Sequence, residues 1–105
     1  MNKSTIYEQI KAMTNEHGLI YDPTYEIYVT PEVATRMVDI AFEEGEKVGV
    51  SIFECDDVSK AYECSKAATT RYLHEGLIDH QTYDKFLYNI DRTKKEAEEM
   101  GCVFA

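Results

Sequence analysis

The residues around Gly76 carry the most metal-like set of side chains in the chain: His74, Asp79, His80 and Asp84. His80 and Asp84 lie four apart, on one face of a helix, and His74 falls at the end of the preceding helix. A simpler account covers the same residues. Asp79 stands where a helix cap belongs, and a histidine in a helix's last turn complements the dipole. Nucleophilic chemistry has less support. A cysteine nucleophile needs a base within hydrogen-bond reach, whereas Cys64 and His74, ten residues apart on one helix, stand about 15 Å apart along it. Asp56 and Asp57 have the chemistry of an acid–base pair, but two acids opening a helix more often act as cap and dipole complement. No GxSxG, HExxH, P-loop or GxGxxG pattern occurs. The expectation is a non-enzymatic protein without metal or cofactor.

Charge narrows the partners. The 105 residues include 20 Asp and Glu against 11 Lys and Arg, a formal charge of −9. By thirds (1–30, 31–60 and 61–105) the net charge is −2, −5 and −2, so the middle third holds the strongest negative field. A chain that binds a phosphate backbone clusters Lys and Arg. The one basic cluster here, Arg92, Lys94 and Lys95, has an opposite charge four residues away at every member: Asp91–Lys95, Arg92–Glu96, Lys94–Glu98 and Lys95–Glu99. That is the pattern of a solvated helix face. Direct nucleic-acid binding and an anionic membrane surface are therefore disfavoured; an acidic surface fits a basic protein partner or, more simply, serves solubility alone.

The three cysteines, Cys55, Cys64 and Cys102, are an odd number without CxxC spacing. On one helix Cys55 and Cys64 would stand about 13 Å apart on opposite faces, too far for a disulfide. Reduced thiols and a cytoplasmic setting are expected. No apolar run approaches the roughly 18 residues of a membrane span. The opening MNKSTIYEQIKAM is amphipathic and mixes acid with base, unlike a secretory or transit segment.

Eight tyrosines and no tryptophan is the most unusual feature of the composition. Tyr21, Tyr25 and Tyr28 fall within eight residues, with Tyr7 on the first helix. A helix–hairpin unit of this size does not bury all four, and exposed tyrosine supplies rigid, amphipathic contact area. Tyr21, Tyr25 and Tyr28, with Glu43, Glu44 and Glu46, form the expected protein-binding set, in a monomer or a homo-oligomer. One specific form is a small inhibitor, of the phage counter-defence kind, presenting acids where a host protein holds nucleic acid. The alternative is a pocket for a nucleotide or metabolite. Tyr62 and Tyr72 would stack on the ligand, Lys66 and Arg71 would meet its charge, and Tyr83, Tyr88 and Lys85 lie nearby. An enzyme with an unidentified site ranks third.

These residues need elements to position them. Thr5 and Glu8 read as a capping box opening a short helix striped by Ile6, Ile10 and Met13, with Gly18 ending the turn behind it. Leu19–Tyr21 and Tyr25–Val29, joined through Asp22-Pro23-Thr24, read as a hairpin. Tyr25, Ile27 and Val29 would face one way, Glu26 and Tyr28 the other. Thr30-Pro31-Glu32 opens a helix whose apolar face is Val33, Met37, Ile40 and Ala41, with Glu43, Glu44 and Glu46 solvated. Past Gly45 two readings stand. Val48, Val50 and Ile52 alternate as in a strand, while Ala41, Gly45, Gly49 and Phe53 lie four apart, as on a continuing helix. A helix from 31 to 75 with two interior glycines is far longer than average, which favours the strand.

Asp56 or Asp57 caps the next helix, striped by Val58, Ala61, Tyr62, Ser65, Ala68 and Tyr72. Gly76 stops it, with Leu77 placed against Tyr72, and Ile78 staples the helix capped by Asp79. Tyr83, Phe86, Leu87, Ile90, Ala97 and Met100 follow at helical spacing. LHEGLIDHQTYDKFL (73–87) resembles the glycine turn of short SHOCT-type helical modules, which implies the helical corner and no activity. Residues 29–52 are faintly similar to the opening helix and strand of haem-degrading domains, without the glycine-rich strands that follow there. The fold expected is one domain, mainly α with a small antiparallel β element (α+β). Its order is short helix, hairpin, helix, a strand or helix extension, and a C-terminal helical hairpin.

Overall fold

The computed structural model describes residues 3–23, 25–49 and 57–104. It is mostly helical with one two-stranded antiparallel sheet, as the residue patterns predict. In chain order the elements are α1 (Lys3–Met13), β1 (Ile20–Asp22), β2 (Ile27–Val29), α2 (Pro31–Lys47), α3 (Val58–His74) and α4 (His80–Glu99). The backbone divides into two compact units, Met1–Asp39 and Ile40–Ala105, with the boundary inside α2. Among the described residues no helix is long and apolar enough to cross a membrane.

In the first unit Ile6, Ile10 and Ile20 are buried. Helix α1 begins at Lys3, so Thr5 lies inside its first turn and is not the cap; the helical backbone starts two residues upstream of the Thr5–Glu8 box. Met13, at the last helical position, is exposed and outside the stripe. The chain reverses through Asn15. Its side-chain oxygen accepts from the backbone N–H of His17 (2.8 Å) and Leu19 (3.1 Å), and its carbonyl accepts from Gly18. This short polar side chain imitates a backbone turn. Strand β1 pairs with β2 in the register Ile20↔Val29, Tyr21↔Tyr28 and Asp22↔Ile27. Tyr25 and Glu26 belong to the connecting turn and not to β2, a correction with a local cause. Glu26 has φ of 55°, in the left-handed region, so extended backbone starts only at Ile27. Thr30 caps α2 as expected, its Oγ1 accepting from the Val33 N–H at 3.2 Å.

Helix α2 ends at Lys47. Val48 and Gly49 form a turn on the carbonyls of Gly45 and Glu46, with Gly49 at φ 77°, so neither a strand from 48 nor an unbroken helix follows. The remainder of the strand-or-helix expectation, residues 50–53, lies outside the described residues, as do Cys55 and Asp56. Asp57 is the α3 cap, accepting from Ser59 and Lys60 N–H groups.

The second unit holds Ile40, fully buried, together with Cys64, Ala68, Thr69, Tyr72, Ile78 and Phe86. On α3 Ala68 and Tyr72 are buried as the stripe predicts, but Cys64 takes the place expected of Ser65, which is exposed, and Thr69 joins them. Thr69 is accommodated because its hydroxyl donates to the Ser65 carbonyl at 2.8 Å. Tyr72 meets Phe86 edge-on, centroids 6.4 Å apart, joining α3 to α4. Both helices end in the same device. At Gly76 the Leu77 N–H reaches the Tyr72 carbonyl and the Gly76 N–H that of Leu73. At Gly101 the Cys102 and Gly101 N–H groups reach Ala97 and Glu98 in the same pattern. These are complete Schellman motifs, each with a left-handed glycine. Asp79 caps α4 through the Thr82 N–H at 2.8 Å, which holds its carboxyl below the usual range. Met100, expected on the α4 stripe, is instead the exposed C-cap residue beyond it.

Candidate functional site

The hairpin sorts its side chains by the two-residue period of extended backbone. Ile20 is buried and Ile27 and Val29 half-buried on one face, while Tyr21 and Tyr28, paired directly across the strands, occupy the other. The two rings are 44% and 62% exposed with centroids 4.9 Å apart, tilted by 49°. Tyr25, in the turn, is half-buried and apart from the strand pairing. Tyr7 faces a different task. Its hydroxyl donates to the Asp39 carboxylate and joins α1 to α2, which pushes the phenol's pKa up.

The acidic set behaves differently from expectation. Glu44 is buried, not solvated, since its Oε1 accepts from Lys47 Nζ at 2.9 Å and Arg71 Nη1 at 3.2 Å. Arg71 also meets Glu43 at 2.7 Å and Glu75 at 3.4 Å. One guanidinium thus organises three carboxylates, a geometry suited to its planar fork. The hydrogen bond from Lys47 leads in lowering the Glu44 pKa, against the opposing effect of burial, and Arg71 adds to it. Ionised Glu44 therefore contributes stability above the ordinary carboxylate range, and the contribution is lost as pH falls through its lowered folded value. Glu46 is exposed.

Of the four residues expected to line a pocket, Tyr62 and Lys66 come together and the other two do not. Arg71 is engaged by its carboxylates. Tyr72 is core, and burial pushes its phenol up to about 12. The Tyr62 hydroxyl donates to Asp91 Oδ1 at 2.6 Å and accepts from Lys66 Nζ at 3.1 Å, while Lys66 lies 3.7 Å from Asp91. The bond to Tyr62 leads in raising the Lys66 pKa. Phe104, beyond α4, packs edge-on against Tyr62 with centroids 6.0 Å apart. Lys94 Nζ sits 4.6 Å from the Tyr62 centroid and 5.3 Å from that of Phe104. These residues border a groove of about 320 Å³, lined further by Val58, Ala61, Ile90 and Ala97 and by the polar Ser65, Asn89 and Thr93. Sequence spacing supplied Tyr62 and Lys66. It missed Lys94 and Phe104, because 1D spacing paired Lys94 with Glu98.

That basic cluster is otherwise rearranged. Arg92 reaches Glu96 at 4.0 Å, but Asp91 accepts from the Tyr62 hydroxyl and lies 3.7 Å from Lys66, both on α3. Around Gly76, His80 lies edge-on to Tyr83, and among the described residues no three His, Cys, Asp or Glu side chains gather as a metal site would need. Cys64 is buried, its thiol donating to the Ala41 carbonyl at 3.8 Å, and Cys102 is exposed. No protein-family model, curated protein or solved structure matches this chain.

Proposed function

We propose that the chain is a non-enzymatic interaction module that binds a protein presenting arginine or lysine side chains to the Tyr21–Tyr28 face. The single observation that carries this reading is the pair of exposed rings standing opposite each other on one face of the sheet. Tyrosine faces attract guanidinium and ammonium groups, and a tyrosine has few rotors to immobilise on binding. The net charge of −9 adds long-range attraction toward a basic surface. In its narrower form the module is an inhibitor of a protein whose basic surface otherwise holds nucleic acid, and nucleic acid then competes with it.

The test compares the wild-type chain with a Tyr21→Ala/Tyr28→Ala variant, each immobilised and challenged with arginine-rich and lysine-rich peptides and with lysate of the source cells. The expected result is a partner that the wild-type chain retains at low salt and releases at high salt. The variant should bind it at least tenfold more weakly at an unchanged thermal midpoint. Equal retention by both proteins overturns the reading. So does a large fall in the variant's midpoint, which would make the two rings core.

A further inference from the structure

We infer that the groove between α3 and α4 is a binding site for a small organic monoanion with an apolar body, of the arylcarboxylate class, with Lys94 meeting the carboxylate. This rests on a different part of the molecule from the tyrosine face and stands or falls separately from it. In a chain with 20 acids to 11 bases, some cations near the groove are neutralised. Lys66 pairs with Asp91, and Arg92 reaches Glu96. Lys94 is the cation among the described residues that line the groove itself. Among the described residues it has no carboxylate partner, although Glu98 lies four residues on along the same helix. Its ammonium is set over the faces of Tyr62 and Phe104.

The Tyr62 ring is fixed at its far end by Asp91 and Lys66, so the cation has a preorganised seat. Ring contacts alone would account for a structural lysine. They do not require the largely apolar groove that it borders, lined by Val58, Ala61, Ile90 and Ala97. A volume of about 320 Å³ is at the small end of ligand sites, which fits a single ring or a short chain. The surrounding acidity, with Asp91 beside the rim, selects against a dianion such as a phosphate monoester. The apolar lining contacts the body, and Phe104 on the terminal segment closes one side.

The test titrates the full chain, observed by backbone amide NMR, with benzoate, neutral benzamide and dianionic phenyl phosphate. Benzoate should saturate shifts at Ala61, Ile90 and Ala97, with benzamide and phenyl phosphate each at least tenfold weaker. Lys94→Met, which keeps the methylene stem over the rings, should weaken benzoate at least tenfold, and Lys95→Met should leave it unchanged. Phe104→Ala, beyond the last helix, offers a variant that spares the helical pair and should weaken benzoate severalfold. The inference fails if benzoate produces no saturable shifts, or if benzamide or phenyl phosphate binds as well. Equal affinity in the Lys94 variant, or equal loss in the Lys95 variant, overturns it too.

Discussion

At the corner between α3 and α4 the left-handed residue is Gly76 and the neighbouring tyrosine, Tyr72, is buried; in the hairpin the left-handed residue is Glu26 and the paired tyrosines face outward. Each region needs a residue with positive φ, yet only the corner uses the residue type that adopts it without strain. The corner also satisfies backbone groups at both helix ends, by a Schellman stop followed at once by an aspartate cap. Every local preference there agrees with the fold. The hairpin keeps a strained backbone position, which costs stability, and a large exposed aromatic area, which adds no more than one cross-strand pair does. Departures of that kind concentrate where a surface has work other than folding.

Four substitutions probe the contrast. Tyr72→Ala should have the largest effect, about 3–5 kcal/mol of stability by chemical denaturation, as for aromatic truncation in a core. A loss below about 1 kcal/mol would show the corner to be no better packed than the hairpin. Gly76→Ala comes next, at about 1–2 kcal/mol. An added Cβ there meets nothing within 4 Å, so the whole effect is backbone strain. Glu26→Gly should move the other way, a gain of about 0.5–1 kcal/mol once glycine's greater freedom in the unfolded chain is set against the relieved strain. A loss would mean that the glutamate side chain contributes to the turn. Smallest is Tyr28→Ala, which should shift stability by no more than about 0.5 kcal/mol, in line with an exposed ring in one cross-strand pair. A shift as large as that of Tyr72→Ala would erase the distinction between the two regions.

Elements written in short-range chemistry were legible from the residues. Thr30, Asp57 and Asp79 cap helices, and Gly76 ends α3, because those preferences depend on groups within a few residues. Three kinds of feature were not. The Glu26 conformation hides the start of β2, since nothing in glutamate's chemistry announces positive φ. The burial of Glu44 depends on Arg71, 27 residues away, and a run of glutamates reads as a solvated face until that partner is in place. On α3, Ala68 and Tyr72 fit the expected stripe and the buried one alike, so spacing alone did not choose between Ser65 and Cys64 as the third member. In the candidate sites, which tyrosines are exposed depended on the register and on the covered face; only the placing of Tyr28 away from Ile27 and Val29 followed from strand alternation. The Lys94–Phe104 seat did not, because it needs the terminal residues to return along α4 to Tyr62.

The paired Schellman stops carry a consequence for solvent exchange. Leu77 and Cys102 lie outside every helix, yet their amide hydrogens are held by carbonyls of the last turns of α3 and α4. Their deuterium uptake is therefore governed by the opening of those turns and not by loop exposure. Leu77 becomes a reporter of how often the corner between α3 and α4 comes apart. Cys102 does the same for the end of α4, with a thiol on that very residue for attaching a second, optical probe of the same event.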